Sequence, residues 1–201
     1  MADLVTNGYC TLEELKEGLD IEISKQDSIL SRAINAASRQ IDNYCQRVFY
    51  QTEEQVRYFS TEYYDLLTID DLTSITELAT DVNGLRTYDT IWLPTDYELG
   101  PRNAGATGFP YTILTRTPLG LQSFPRIADS IRITGTWGWP EVPDDIRQVC
   151  LILAYRLYKR KDAPFGVMGS TELGQYQAIN KIDPDAVQIL DRYRRFAIGG
   201  I

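Results

Sequence analysis

Trp137-Gly138-Trp139-Pro140-Glu141-Val142-Pro143-Asp144-Asp145-Ile146 joins two segments of different periodicity. Residues 130–139 alternate as a strand does, with Ile131, Ile133, Trp137 and Trp139 on one face and Arg132, Thr134 and Thr136 on the other. Beyond the joint, Pro143 suits a first helical turn, where its missing N–H costs nothing. Asp144 and Asp145 favour the positive end of a helix dipole. Ile146, Val149, Cys150, Leu153, Ala154 and Leu157 then recur at helical spacing, and Lys159-Arg160-Lys161 places cations at the negative end. A strand therefore runs straight into an amphipathic helix. The joint carries no catalytic group; it marks where a β-rich region ends and helices resume.

Upstream, Thr11-Leu12-Glu13-Glu14 reads as a capping box opening a short helix that ends near Gly18. Asp27 can cap a second helix over residues 27–47, about 30 Å long at 1.5 Å per residue. Its apolar positions are Leu30, Ile34, Ala37, Ile41, Tyr44 or Cys45, and Val48. Ala33, Ala36 and Ala37 make one side of it narrow, so another helix can approach closely within the subunit or between subunits. Between the helices, strands are expected at 55–61, 73–81, 85–92, 96–99 and 111–115, with Asn83-Gly84 as a hairpin turn. Residues 100–110 and 118–125 hold too many glycines and prolines for regular structure. Residues 162–174 read as a Gly-rich, mobile segment. Asp183-Pro184 then provides an N-cap and first-turn proline for a last helix carrying Val187, Leu190, Tyr193 and Arg194.

The expected fold class is α+β: a bundle of about four helices interrupted by a β-rich insertion between the second and third. Residues 1–49 and 140–201 form the helical core in this reading, and residues 50–139 the insertion. The helices on either side of the insertion should pack together, because neither buries its apolar stripe alone.

Composition narrows the function. At 201 residues the chain can hold one full core, or a core and a smaller subdomain. No run approaches the roughly 20 apolar residues of a membrane span, and the N-terminus lacks a secretory pattern, so synthesis and assembly in a cytoplasm are expected. There is no histidine, which removes Ser-His, Cys-His and HExxH chemistry. Cys10, Cys45 and Cys150 lack metal-ligand spacing and read as buried free thiols. Neither a metal nor a cofactor is expected. The net charge of −8 is uneven. Residues 1–145 hold 11 Lys and Arg against 23 Asp and Glu; residues 146–201 hold 9 against 5. An acidic body argues against tight DNA contact, which needs a basic face.

Asp70-Asp71 and Asp144-Asp145 are the close carboxylate pairs in suggestive places. On a strand, neighbours point to opposite faces, so Asp70 and Asp71 would not converge on a substrate. The second pair is explained by the helix dipole. Gly166, Gly169 and Gly174 lack the following Lys-Ser or Lys-Thr of a phosphate loop. Two tryptophans at strand spacing fit a core, whereas tyrosines such as Tyr63-Tyr64 divide between core and interface. Lys159-Arg160-Lys161 and Arg192, Arg194, Arg195 sit at helix C-termini, where cations complement the dipole or face an acidic partner. A monomeric β-rich binding module remains the alternative to an assembly protein.

Several pieces, in order, resemble the head–tail connector (head-completion or adaptor) proteins of long-tailed bacteriophages and gene transfer agents. Tyr9-Cys10-Thr11-Leu12-Glu13-Glu14-Leu15-Lys16 is similar to the opening helix. Asp27-Ser28-Ile29-Leu30 with Ala33, Ala36-Ala37, Ile41-Asp42 and Cys45-Gln46-Arg47 is similar to the family's long helix. The Gly-Trp-Pro-x-Val-Pro joint and the closing helix from Leu151 to Arg160, followed by Lys161-Asp162-Ala163-Pro164, complete the set. The resemblance implies a non-enzymatic virion protein: a homo-oligomeric ring, dodecameric on the particle though monomeric when isolated. It would dock under the portal protein, extend the DNA channel without specific DNA binding, and receive the next connector or a tail protein; another tail-completion protein is the alternative. The resemblance also implies portal docking through the C-terminal segment, nominating Arg192, Arg194, Arg195, Phe196, Ile198 and Ile201. A ring subunit needs two complementary faces. The nominated subunit-interface residues are Ala33, Ala36, Ala37 and Tyr44 on the long helix and Leu190 and Tyr193 at the last one.

Overall fold

The computed structural model describes residues 5–22, 24–160, 167–168, 177–178 and 183–195. The chain is mixed α and β and divides into two compact units, Met1–Arg47 with Val142–Ile201, and Val48–Glu141.

In the first unit, α1 (Leu12–Leu19) opens with the expected capping box. Glu14 N–H donates to the Thr11 hydroxyl, and Thr11 N–H donates back to the Glu14 carboxylate. The long helix α2 (Asp27–Cys45) begins differently from expectation. A short 3-10 turn, Ser24–Gln26, precedes it, Gln26 holds the N-cap position, and Asp27 is its first residue. The Asp27 carboxylate instead pairs with Lys16 of α1 at 2.9 Å. α2 buries Leu30, Ser31, Ala33, Ile34, Ala37, Ser38, Ile41 and Cys45, a stripe at spacings of three and four. It packs on a helix (Asp144–Lys159) of the same unit whose buried stripe is Ile146, Val149, Cys150, Leu153, Ala154 and Tyr158. That helix begins one residue after Pro143, its N-cap. The last helix (Pro184–Leu190) starts as expected, with Asp183 accepting from Asp185 N–H and Pro184 in the first turn. Tyr158 donates its hydroxyl proton to Gln26. Arg195 N–H donates to the Cys45 carbonyl at 2.9 Å, tying the chain after the last helix to the end of α2. The expected mobile segment 162–174 lies outside the described residues except for 167–168, part of a two-stranded pair with 177–178.

The second unit is built on an antiparallel sheet of six strands. These are β1 (Glu54–Phe59), β2 (Leu66–Thr80), β3 (Thr90–Ile91), β4 (Tyr97–Gly100), β5 (Tyr111–Arg116) and β6 (Ile131–Trp137). Their order is β1-β6-β2-β5-β4, with β3 alongside β2. β2 is the spine. Its first half pairs with β5 and its second half with β6, with register shifts between Thr68 and Leu72, between Leu72 and Ser74, and between Ile75 and Glu77. Such irregularities bend a strand and raise its twist. The sheet's core gathers Leu67, Ile69, Leu72, Leu78, Trp92, Leu114, Phe124, Ile131, Ile133 and Trp137. Trp92 stacks on Phe124 with centroids 4.6 Å apart, and its indole N–H donates to Thr80 Oγ1. Trp137 carries Arg57 over its ring at 4.4 Å and donates to the Gln55 carbonyl at 3.0 Å.

β6 alternates buried and half-buried residues as its sequence implies. It stops at Trp137, short of the expected end. Gly138 takes φ +93°, a left-handed conformation, and a Cβ there would lie 2.0 Å from the Tyr50 carbonyl oxygen. Trp139 is buried beyond this kink against Phe49, centroids 5.3 Å apart.

Two sequence expectations change. β2 extends upstream through Asp70 and Asp71, residues depleted in strands. Each has a local partner: Asp70 pairs with Arg57 at 2.9 Å, and Asp71 accepts from the Trp139 indole N–H at 3.3 Å. The strand expected at 85–92 shrinks to Thr90–Ile91. In its place the buried Asp81 carboxylate organises a loop, accepting from the N–H groups of Asn83 and Leu85 at 3.2 Å and Arg86 at 2.8 Å. Arg86 and Tyr88 both have positive φ, incompatible with a hairpin strand. The stretch 100–110, after Gly100 closes β4, is irregular apart from one helical turn, Ala104–Thr107. With it the described residues hold five α-helices, one more than the sequence implies.

Replacing Gly138 with Ala forces a Cβ into the Tyr50 carbonyl. The urea midpoint should fall with unchanged m-value, by about 2–4 kcal/mol of stability; an unchanged midpoint would show that the kink is not needed. Burial pushes the Asp81 carboxyl up, but the N–H groups of Arg86, Asn83, Leu85 and Gly84 outweigh it and hold the group below its ordinary 3.8. A carboxyl with a depressed folded pKa adds stability above the unfolded value and loses it as pH falls through the folded one. Asp81→Asn should therefore be less stable than the native chain at pH 7, with the gap closing below pH 3.8. A gap independent of pH would mean that loop shape, not ionisation, accounts for the loss.

Candidate assembly surfaces

Among the described residues no group of three or more Cys, Asp or Glu could hold a metal ion. Asp70 and Asp71 are occupied by Arg57 and Trp139, and Asp144 lies 3.6 Å from Arg147 at the start of its helix. Among the described residues no helix is long and apolar enough to cross a membrane.

The nominated interface residues separate into two groups. Ala33 and Ala37 are 7% and 0% exposed, and Leu190 is 0% exposed. All three lie inside the helical unit, where small residues let α2 and its neighbours approach. The expected contact face open to a neighbour thus narrows to Ala36, exposed on α2, and Tyr44 and Tyr193, both half-buried. These tyrosines are held by the unit itself. Tyr44 donates to Asp191 at 2.6 Å, with the Arg194 guanidinium 5.6 Å over its ring, and Tyr193 donates to Asp145 at 3.4 Å. The hydrogen bond to Asp191 raises the Tyr44 phenol; burial, then the Asp145 charge, raises that of Tyr193. Both stay neutral hydrogen-bond donors at physiological pH. Of the nominated docking residues, Arg192 and Arg194 are exposed and Arg195 half-buried. Phe196, Ile198 and Ile201 lie outside the described residues.

The β unit presents apolar side chains that the sequence pattern did not single out. Leu119 and Leu121 are each 94% exposed. They stand on a turn tied down by backbone bonds: Gly120 N–H to the Thr117 carbonyl at 3.1 Å, Thr117 N–H to the Asp96 carbonyl and Phe124 N–H to the Tyr64 carbonyl, both at 2.9 Å. The same strip holds Tyr63 and Tyr64, both exposed as their interface reading requires, and Arg116 lies 6.0 Å over the Tyr64 ring. Fully burying a leucine contributes about 1.5–3 kcal/mol, so two of them on an ordered turn are a substantial reserve for association. The only signal in sequence was Leu-Gly-Leu inside a breaker-rich stretch, which reads as a loop and says nothing about which way the leucines face. The unit is also strongly acidic, with 13 Asp and Glu against 6 Arg and no Lys.

Residues 9–81 match the sequence pattern of the phage gp6-like head-tail connector protein family. No curated protein sequence matches the chain. Solved structures do. A chain in the neck of a native gene transfer agent particle, computed with C12 symmetry, aligns with a TM-score of 0.60 at 17% identity, covering 98% of this chain and 95% of that one. A chain in the neck of an empty particle, computed with C6 symmetry, gives a TM-score of 0.58 at 15% identity with the same coverage. A chain of the native gene transfer agent virion gives 0.59 at 16% identity, again with that coverage. The resemblance to the head–tail connector proteins of phages and gene transfer agents is thus carried by the family's own sequence pattern over residues 9–81 and by the fold over nearly the whole chain.

Proposed function

We propose that this chain is a structural virion protein of the neck, forming a twelvefold ring under the portal that extends the DNA channel and joins the filled head to the tail. The observation that carries this reading is the fold shared with neck chains over 98% of the sequence, in a particle whose neck was computed with C12 symmetry. In this reading the helical unit is the connector core and the β unit an insertion between its second and third helices. Arg192, Arg194 and Arg195, with Phe196, Ile198 and Ile201, dock on the portal protein. Copies meet head to tail, so each subunit carries two different faces. Ala36, Tyr44 and Tyr193 belong to one; the strip of Leu119, Leu121, Tyr63 and Tyr64 contacts a second copy. The acidic β unit supports a channel that DNA passes without sticking, because few cations are available to displace counterions. The protein acts by shape and adhesion rather than by catalysis, and assembles in the host cytoplasm before the next connector or tail protein binds.

The direct test mixes the purified chain with portal-bearing, DNA-filled capsids that lack it and images the portal vertex by electron microscopy. Twelvefold density there, followed by tail attachment, is the expected result. A folded chain that leaves the vertex bare would reduce the likeness to fold alone and favour a monomeric β-rich binding module. In the same assay Leu119→Asp with Leu121→Asp should cut occupancy of the vertex at least tenfold while changing monomer stability by less than about 0.5 kcal/mol. Full occupancy by that double variant would remove the strip from the subunit contact. Ala36→Arg tests the helical face in the same way. Ala37→Arg does not, because it buries a charge in the core and should unfold the monomer.

A further inference from the structure

We propose that Cys10 and Cys150 are the site of an intrachain disulfide, formed when the protein meets a small peroxide oxidant. Their sulfur atoms lie 3.3 Å apart inside the helical unit, one just ahead of α1 and the other on the helix that packs against α2. A disulfide needs about 2.05 Å, so roughly 1.3 Å of approach closes the bond. Cys150 is fully buried, but Cys10, 4% exposed, lines a cavity of about 710 Å³ bordered by Gly8, Thr11, Val142 and Arg147. The cavity brings a small oxidant to one sulfur and leaves the other behind it as the resolving thiol. The immediate surroundings are polar as well. Ser38 Oγ sits 3.4 Å from Cys150 Sγ and accepts from Tyr9 N–H at 3.1 Å. The hydrogen bond donated by Cys10 lowers the Cys150 thiol against the raising effect of burial, while that bond and burial raise Cys10. Cys45 has none of this: it is fully buried, borders neither the cavity nor another sulfur, and its thiol faces the Leu190 carbonyl at 3.7 Å.

The chemistry balances with hydrogen peroxide. Access rather than acidity makes Cys10 the first sulfur to react, because it borders the cavity and Cys150 does not. Cys10 Sγ attacks one peroxide oxygen, the O–O bond breaks, the second oxygen leaves as water with the thiol proton, and Cys10 becomes a sulfenic acid. Cys150 Sγ then attacks Cys10 Sγ and displaces the hydroxyl, which leaves as a second water with the Cys150 proton. Two thiols are oxidised and one peroxide reduced. In a reducing compartment the pair stays as thiols. The bond closes a loop that contains the whole β unit, Val48–Glu141, and ties its two flanking chain segments together. Loops of this length give the largest stabilisation in the chain-entropy account of disulfides.

The test uses the full chain treated with hydrogen peroxide, denatured, titrated for thiols and mapped by mass spectrometry without reduction. Free thiols should fall from three to one. A single linked peptide should join Cys10 to Cys150, and dithiothreitol should reverse both changes. The oxidised chain should melt about 10 °C above the reduced one. Cys45→Ala should behave like the native chain, and Cys150→Ser should give no linked peptide. Three thiols surviving, Cys10 passing to sulfinic acid without a link, or links only between chains would each overturn the proposal. Should Cys150→Ser fail to fold, the native map alone decides.

Discussion

The burial of α2 against the helix Asp144–Lys159 is the contact on which the helical unit depends. Each presents one apolar stripe to the other, and neither stripe could be left in water by a stable isolated helix. The two are separated in sequence by the entire β unit, so the pairing is long-range and fixes where the chain must return after its excursion. The smaller features follow from it. α1 lies across both helices, and the last helix is held at its far end by the Cys45 carbonyl and the Tyr44 to Asp191 bond. Ala33 and Ala37 on α2 are part of this arrangement: buried small residues shorten the distance between helices, while Ala36 stays exposed.

The β unit depends in turn on β2. One strand of 15 residues serves two partners in succession, and its register shifts let it turn from β5 toward β6 without losing pairing. Trp137 and Trp139 close the unit from opposite sides of the Gly138 kink. The kink works because glycine tolerates both the positive φ and the close approach of the Tyr50 carbonyl.

The described surface divides into paired polar groups and exposed apolar or charged side chains. Its polar pairs, such as Asp70 with Arg57 and Arg132 with Glu77, are spent on cross-strand order. The features left over are apolar and exposed on ordered backbone, or charged and clustered at helix ends.

Much of the architecture was legible in sequence because it rests on local rules. The Thr11–Glu14 capping box, the Asp183-Pro184 helix start, the stripe of Ile146 to Leu153 and the alternation of Ile131 to Trp137 each follow from backbone hydrogen-bonding needs and side-chain period, and the α+β class follows from them. The joint at 137–146 was readable for the same reason. What tertiary structure decided depends on distance in space rather than in sequence. The length of β2 was hidden because two aspartates look wrong for a strand until Arg57 and Trp139 arrive to satisfy them. The loop at 81–89 was hidden because one buried carboxylate can gather backbone donors more effectively than a hairpin ladder. Periodicity placed Ala36 and Ala37 together on α2, but only the packed helices separate the exposed one from the buried one. Cys10 and Cys150 are 140 positions apart in the chain, and their neighbouring sulfurs exist only once the helices have closed. A sequence encodes propensities residue by residue, whereas burial, pairing and exposure are properties of the packed whole.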